Sequence, residues 1–176
     1  QPIGVCAAIT PWNFPLAMAT WKIFAPIAVG NTVVMKPSEN TPLTALKLGS
    51  ILAEMLPPGV VNIVTGRGQT VGQALGEHPD INMMSITGDV TTGQKVLQAA
   101  TGNLKRTHLE LGGKAPVIVM ADADLEAVVS TVRSAGFYNA GQDCCAACRI
   151  YVHESVHDTL VAALKEAVCS IKLGPT

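Results

Sequence analysis

The chain has 176 residues, of which 48% are hydrophobic and 14% are charged, and its formal net charge is −1. This length allows one well-formed core and part of a second. The small net charge and the lack of a basic cluster argue against nucleic acid as the main partner. No apolar run reaches membrane-spanning length, so no membrane partner is expected.

The cysteine content and the two ends of the sequence give further expectations. An odd number of cysteines, five, without a signal-peptide pattern favours reduced thiols and a cytoplasmic location. The chain opens at Gln1 on a strand-like run and stops just after a helix-like run. We therefore expect it to be a fragment of a longer protein.

Strand-like and helix-like stretches alternate along the chain, which is typical of parallel βαβ units and predicts an α/β fold. Strands are predicted near 5–9, 32–35, 60–64, 83–87, 107–111, 116–119 and 150–152. Helices are predicted near 16–29, 42–56, 71–77, 92–100, 125–137 and 156–171. Gly30 is expected to end the first helix, and Thr41 is expected to cap the second, with Pro42 at its first position.

Three cysteines lie within five residues, between the helix-like run 125–137 and the β-branched run 150–152. We interpret Cys144 as a candidate nucleophile, because Gly141 and nearby alanines leave room for a substrate to approach the backbone. Three alternatives stay open: small core residues, a zinc site or a disulfide. Adjacent thiols without a paired Cys-x2-Cys spacing or a nearby His disfavour zinc, and nothing indicates secretion. We expect no metal.

Polar residues follow the first two predicted strands, at the edge where open α/β sheets bind ligands. In Pro11-Trp12-Asn13, the Asn13 amide is able to donate to a developing oxyanion, although Asn also commonly forms turns. Lys36-Pro37-Ser38-Glu39 occupies the place where an acid binds ribose hydroxyls in dinucleotide-binding folds. A solvated charged loop is the alternative for that segment.

Two glycine-containing turns follow later strands. The turn from Thr87 to Gly93 opens a predicted helix, so its amides and the helix dipole are placed to face a phosphate. It lacks the G-x-G-x-x-G pattern of common Rossmann folds. Glu110 precedes Gly112 and Gly113, and an acid before such a flexible turn is a candidate general base. A surface turn is the alternative reading of this second segment.

These segments, in this order and spacing, resemble the aldehyde dehydrogenase superfamily over essentially the whole chain. The motifs are Pro11-Trp12-Asn13, Lys36-Pro37-Ser38-Glu39, the turn from Gly88 to Gly93, Glu110-Leu111-Gly112-Gly113-Lys114 and Gly141-Gln142-Asp143-Cys144. The local sequence around Arg67, Asp89, His108 and Cys148 is most similar to that of γ-aminobutyraldehyde dehydrogenases, and next to that of betaine aldehyde dehydrogenases.

The resemblance implies a partial NAD-binding domain at 1–111, with a Rossmann-like parallel sheet. The first part of an α/β catalytic domain would follow at 112–176. A full-length member would have further segments and would form a homo-oligomer, a dimer or a tetramer. The fragment alone is therefore expected to be inactive. The alternative from another class is that these residues act only as a structural or binding module.

The resemblance also assigns the chemistry. Cys144 would attack a small-molecule aldehyde, and the Asn13 amide and the Cys144 N–H would hold the oxyanion. Hydride would then pass to NAD, and Glu110 would activate the water that hydrolyses the thioester. Because hydrolysis needs such a base, Glu110 argues against a CoA-acylating relative.

NAD is the implied cofactor. Its site would include Trp12, Lys36, Ser38, Glu39, Gly88 and Gly93, with Lys36 and Glu39 at the adenosine ribose and the two glycines by the pyrophosphate. Glu39 would accept a hydrogen bond from the 2′-hydroxyl and repel a 2′-phosphate. Asp89 departs from the Ser of many members, and an acid beside a pyrophosphate is electrostatically unfavourable.

The substrate class turns on the neighbours of the nucleophile. The resemblance implies that Asp143 and Cys145 face the substrate, and the Asp143 carboxylate would attract the ammonium group of an ω-aminoaldehyde such as 4-aminobutanal. Betaine aldehyde or a general aldehyde are the alternative substrates. A purely local role for Asp143, hydrogen bonding to neighbouring backbone, also stays open. Cys145 stands where Thr is common, and a disulfide to Cys144 would need strained geometry.

Overall fold

The computed structural model describes residues 1–174, and the chain forms two compact units. The first unit is Gln1–Gly112 and the second begins at Gly113. The division therefore falls one residue after the boundary expected from the sequence. Each unit is built from βαβ connections, in agreement with the predicted α/β class.

The first unit contains a five-stranded sheet with helices on both faces. Its strands are β1 (Val5–Ile9), β2 (Thr32–Lys36), β3 (Val61–Ile63), β4 (Met83–Gly88) and β5 (Arg106–Leu111). Its helices are α1 (Pro15–Ala28), α2 (Leu43–Met55), α3 (Gln73–Glu77) and α4 (Val90–Ala100), and a π-helical turn, Gly68–Gly72, precedes α3. The strand order is β3-β2-β1-β4-β5 and each pair is parallel, so β1 lies at the centre.

Two hydrophobic clusters hold this sheet between its helices. On one face, Ile23 of α1 and Leu52 of α2 pack with Val33 and Met35 of β2. On the other face, Met84 and Ile86 of β4 pack with Val96 of α4. Full burial of such a side chain stabilises a fold by about 1.5–3 kcal/mol. Alternating residues of each strand face opposite sides, which explains how one strand serves both clusters.

The second unit is a single βαβ connection followed by a helix. It comprises β6 (Ala115–Val119), α5 (Leu125–Phe137), a 3-10 turn at Tyr138–Gly141, β7 (Ala147–Val152), a second 3-10 turn at Glu154–Val156 and α6 (His157–Cys169). β6 and β7 pair in parallel. Asp124 caps α5 by accepting from the N–H groups of Glu126 and Ala127.

Most predicted elements are confirmed to within a few residues, and Gly30 ends α1 with φ +85° while its N–H donates to Ile27 O. The predicted Thr41 cap is wrong. The Thr41 N–H donates to Ser38 O, so Thr41 belongs to a turn, and its buried hydroxyl has no hydrogen-bond partner. The last strand, β7, begins three residues before the predicted start. Within residues 1–174, no helix has both the length and the hydropathy needed to cross a bilayer.

Candidate active site

The carboxyl edge of the five-stranded sheet collects the predicted site residues of the first unit. Asn13 follows β1, Lys36 ends β2, Gly88 ends β4 and Glu110 lies in β5. The chain runs outward from β1 to β3 and then returns to β4 on the other side of β1, and open α/β folds bind ligands at this kind of switch point. The fold therefore brings these four residues to one edge, as their positions after strands predict.

The Lys36 side chain is buried and fully engaged. Its Nζ donates to Pro37 O at 2.9 Å, Gly66 O at 3.0 Å and Glu39 Oε2 at 3.2 Å. The Glu39 side chain is 50% exposed. The Glu39 backbone N–H, followed by the Lys36 ammonium, holds the pKa of the Glu39 carboxyl below its usual value. Glu39 is therefore an ionised, accessible acceptor at the end of β2.

Ser38 and Trp12 lie in the loops beside this edge. The Ser38 hydroxyl accepts a hydrogen bond from the Asn40 N–H at 3.3 Å, which stabilises the loop after β2. Trp12 is 48% exposed and lies in the turn between β1 and α1, next to the half-buried Asn13. An exposed indole at a ligand-binding edge offers apolar surface and one N–H donor.

The turn after β4 is occupied by its own carboxylate. Asp89 is the N-cap of α4: Oδ1 accepts from Thr92 N at 2.9 Å and Oδ2 from Thr92 Oγ1 at 2.6 Å. The Thr92 hydroxyl, and then its N–H, lower the pKa of Asp89. A Cβ atom on Gly93 would lie 2.7 Å from a Leu111 methyl carbon, so close packing explains that glycine by itself. One amide that could face a phosphate therefore already has an acceptor.

Glu110 accepts a hydrogen bond from Thr87 Oγ1 at 3.3 Å, and Thr87 lies opposite it in the β4–β5 register. The Glu110 carboxylate lines a cavity of about 200 Å³ on the α1 side of the sheet. Apolar residues such as Met18 and Trp21 form most of the wall, while Lys22 is a further charged group in it. A carboxylate in such a cavity suits proton transfer.

Three polar residues of this cavity were not predicted from the sequence. Lys22 is only 8% exposed, and its Nζ donates to Ser85 Oγ at 2.7 Å. The same hydroxyl lies 2.9 Å from His108 Nδ1. Burial lowers the pKa of Lys22 to about 8, against the opposing attraction of the Glu110 carboxylate. Two sequence signals could have pointed to Lys22 and His108 individually: Lys22 is the only charged residue in α1, and His108 precedes Glu110 by two on one strand.

In the second unit, a left-handed turn precedes the candidate nucleophile. Asn139, Ala140 and Gly141 have φ angles of 51°, 57° and 75°. Left-handed backbone is unfavourable for Ala, and such strain commonly occurs at functional sites. Cys144 follows this turn and is half-buried. The turn thus sets the direction in which the backbone enters the loop that carries Cys144.

The three neighbouring thiols are not core residues. Cys145 and Cys148 are exposed, Cys144 is half-buried, and no disulfide is formed by the cysteines of the described chain. The Cys144 and Cys145 sulfur atoms are 3.7 Å apart, within hydrogen-bonding range for thiols. The alternatives of small core residues and of a disulfide are therefore wrong for this structure.

The Asp143 carboxylate stabilises the loop that carries the thiols. Its Oδ1 accepts from the Cys145 N–H at 3.0 Å, which is the local role left open by the sequence. Ligand atoms of Asp143, Cys144 and Cys145 lie within 4.8 Å of one another, and within residues 1–174 no further His, Cys or acidic side chain joins them. Structural zinc sites use four protein ligands, so this set is incomplete for a structural zinc site.

Comparison with known proteins agrees with this geometry. A model of the aldehyde dehydrogenase family matches residues 1–176. The chain is 50% identical over 175 residues to betaine aldehyde dehydrogenase of Bacillus subtilis (strain 168), covering 99% of the chain and 36% of that protein. It is 55% identical over 163 residues to human retinaldehyde dehydrogenase 3, and this match covers 92% of the chain and 32% of that protein.

A crystal structure of betaine aldehyde dehydrogenase from Staphylococcus aureus in complex with NAD+ superimposes with a TM-score of 0.96 at 42% identity, covering 99% of this chain and 35% of that one. The chain thus spans about a third of the length of these relatives. Sequence and structure agree over nearly all of its residues, and the chain belongs to the aldehyde dehydrogenase family.

Proposed function

We propose that this chain supplies the nucleophile and the general base of an NAD-dependent aldehyde dehydrogenase. The observation that carries the proposal is the position of Cys144 at the Gly-Gln-x-Cys motif, directly after the left-handed turn and half-exposed. The Glu110 carboxylate in its cavity provides the base that a hydrolytic step requires. Family membership supports both roles.

The first half-reaction forms a covalent bond to Cys144. Its thiolate sulfur attacks the aldehyde carbon, a C–S bond forms, and the carbonyl electron pair moves onto oxygen. The Asn13 amide and the Cys144 N–H would donate to that oxygen. When bound, NAD supplies the hydride acceptor that converts the thiohemiacetal to a thioester.

The second half-reaction releases the acid. Glu110 takes a proton from water, the water oxygen attacks the thioester carbon, and the C–S bond breaks to return the Cys144 thiolate. The hydrogen bond from Thr87 Oγ1 orients the Glu110 carboxylate within the cavity. This base favours hydrolysis to a carboxylate over acyl transfer to CoA.

The residues of the first unit fit the adenosine half of NAD. Glu39 is ionised and half-exposed, and it would accept hydrogen bonds from the ribose hydroxyls. The buried Lys36 ammonium forms an ion pair with the Glu39 carboxylate. Trp12 and Ser38 lie in the adjoining loops. The turn from Gly88 to Gly93 fits a pyrophosphate less well, because the Asp89 carboxylate already occupies the Thr92 amide.

For the substrate, we propose a cationic aldehyde, with 4-aminobutanal first and betaine aldehyde as the alternative. Asp143 precedes the nucleophile, and only its Oδ1 is used by the Cys145 N–H. A carboxylate has further acceptor sites, so it is able to attract an ammonium group. The similarity to a betaine aldehyde dehydrogenase supports a cationic substrate, while the similarity to a retinaldehyde dehydrogenase supports an apolar one.

The experiment that tests the chemistry compares single substitutions in the complete enzyme that carries this sequence. Cys144→Ala should abolish aldehyde-dependent NADH formation, whereas Cys145→Ala and Cys148→Ala should retain most of it. Glu110→Gln should keep the pre-steady-state burst of NADH and slow the steady state, because only hydrolysis needs the base. Equal loss in Cys144→Ala and Cys148→Ala, or a Glu110→Gln enzyme without a burst, would contradict these assignments.

A further inference from the structure

A chain of three polar side chains crosses the cavity that contains Glu110. Lys22 on α1 donates to Ser85 Oγ on β4 at 2.7 Å, and that hydroxyl lies 2.9 Å from His108 Nδ1 on β5. Ser85 and His108 stand directly opposite each other in the β4–β5 register. All three line the same cavity as Glu110. None of them has a role in the proposed mechanism so far.

The chemistry of the groups fixes the direction of the Lys22–Ser85 hydrogen bond, and the His108 tautomer decides the direction of the second. The Lys22 ammonium only donates, so Ser85 Oγ accepts from it. We assign the ring proton of neutral His108 to Nε2, and in this tautomer the Ser85 hydroxyl donates to His108 Nδ1. The hydroxyl becomes a better acceptor for Lys22 when it also donates to the ring, because linked hydrogen bonds polarise one another.

The hydrogen bond to Ser85 matters because the surroundings of Lys22 otherwise disfavour a charged side chain. The residue is 8% exposed, and its cavity is mostly apolar. Burial favours loss of its proton, whereas the Ser85 bond and the Glu110 carboxylate favour the charged form. The Lys22 ammonium therefore lies in the same cavity as the Glu110 carboxylate and attracts it electrostatically.

We propose that Ser85 and His108 are positioning residues, which hold the Lys22 ammonium in the cavity beside Glu110 and thereby set the rate of thioester hydrolysis. The inference rests on the proposed function, since it takes Glu110 as the base. It goes beyond that function by assigning a role to two residues that the proposed mechanism does not use. Their action passes through Lys22 to Glu110.

Other ionisable groups around His108 are few within the first unit. Lys22 is the titratable residue of α1, and Cys6 of β1 lines the cavity with its pKa raised by burial. On β5 itself, Arg106 and Glu110 lie two residues away on either side and share the strand face of His108. The facing residues of β4 include no titratable side chain. Arg106 does not line the cavity, so Lys22 and Glu110 are the charged partners through which the Ser85–His108 pair acts.

The first test measures the charge of Lys22 directly, in the complete enzyme. The pH dependence of Lys22 acetylation by acetic anhydride, followed by mass spectrometry, should show an inflection near pH 8. Ser85→Ala should lower this inflection by about one pH unit, which makes the neutral amine about fivefold more abundant at pH 7. His108→Leu should lower it less. His108→Asn should return the inflection to the wild-type pH, because the side-chain carbonyl oxygen of Asn accepts the Ser85 proton.

The second test measures hydrolysis. Ser85→Ala and His108→Leu should keep the NADH burst but reduce the steady-state rate several-fold at pH 7, and His108→Asn should recover most of it. Ser50→Ala is the matched control, since its hydroxyl bonds to Lys47 O within α2, and it should change neither readout.

If the wild-type enzyme is active but Ser85→Ala changes neither the Lys22 inflection nor the hydrolysis rate, the positioning role alone is overturned. A wild-type enzyme that forms no NADH with any aldehyde would overturn the proposed function, and this inference with it.

Discussion

Replacing Lys22 by Met should make the first unit more stable at neutral pH. Lys22 is buried in a mostly apolar cavity, and its pKa falls from 10.5 to about 8 there. Met has a similar length and no charge, so it fills the same space without the cost of burying an ammonium group. Ser85 loses a donor in this variant, but its hydroxyl still bonds to His108.

The size of the effect follows from the shift of the Lys22 pKa. At about 1.4 kcal/mol per pH unit, a fall from 10.5 to about 8 corresponds to about 3 kcal/mol. Below pH 8, Lys22 is charged in both the folded and the unfolded chain, and the folded state bears the whole penalty. Between pH 8 and 10.5 the unfolded chain binds more protons than the folded one, so stability rises with pH. The advantage of Lys22→Met should therefore shrink across this window.

The assay is urea unfolding at pH 7 and at pH 9.5, followed by tryptophan fluorescence. The chain has two tryptophans, Trp12 and Trp21, and both belong to the first unit. Lys47→Met, at an exposed position of α2, is the control and should have no pH-dependent effect. The reasoning is refuted if Lys22→Met is less stable than the wild type at pH 7, or if its advantage is equal at both pH values.

Three further predictions follow from the site. Glu39→Gln should raise the kcat/KM for NADP relative to NAD by about tenfold, because it removes the charge that repels a 2′-phosphate; an unchanged ratio would mean that Glu39 does not face the ribose. Asp143→Asn should lower kcat/KM for 4-aminobutanal about tenfold or more while sparing butanal, and equal losses on both would leave Asp143 a loop residue. Asp89→Ala should cost about 1 kcal/mol of unfolding free energy at pH 7. Because the folded pKa of Asp89 is lowered, this cost should shrink as the pH drops below about 4, and a cost that does not change with pH would contradict the capping role.

The sheet was predictable because apolar strands and helices alternate with distinct periods. The same reasoning placed Glu39 and Glu110 at strand ends, where parallel strands gather ligands. It could not find the Lys22–Ser85–His108 chain, because Ser85 and His108 meet only through the β4–β5 register, which is a tertiary property. Nor could it find the left-handed Asn139 and Ala140, since neither residue type requires that backbone.

The predicted cap of α2 failed for a related reason. Thr followed by Pro is a common helix start, but the preceding loop competes for Thr41 by forming a turn from Ser38. The hydroxyl of Thr41 is then buried away from the helix amides. The preference of Thr-Pro for a helix start was outweighed by the turn of the loop that contains Glu39.

The complete set of bonds around Lys36 has a consequence for how a ribose would be bound. An ammonium group has three hydrogens, and Pro37 O, Gly66 O and Glu39 Oε2 already take all of them. A ribose hydroxyl gains a bond from Lys36 only by displacing an acceptor, and the Glu39 contact, the longest and the one that reaches solvent, is the one to exchange. Ribose binding there would therefore exchange one hydrogen-bond partner of Lys36 for another, and the displaced carboxylate would become an acceptor for the sugar.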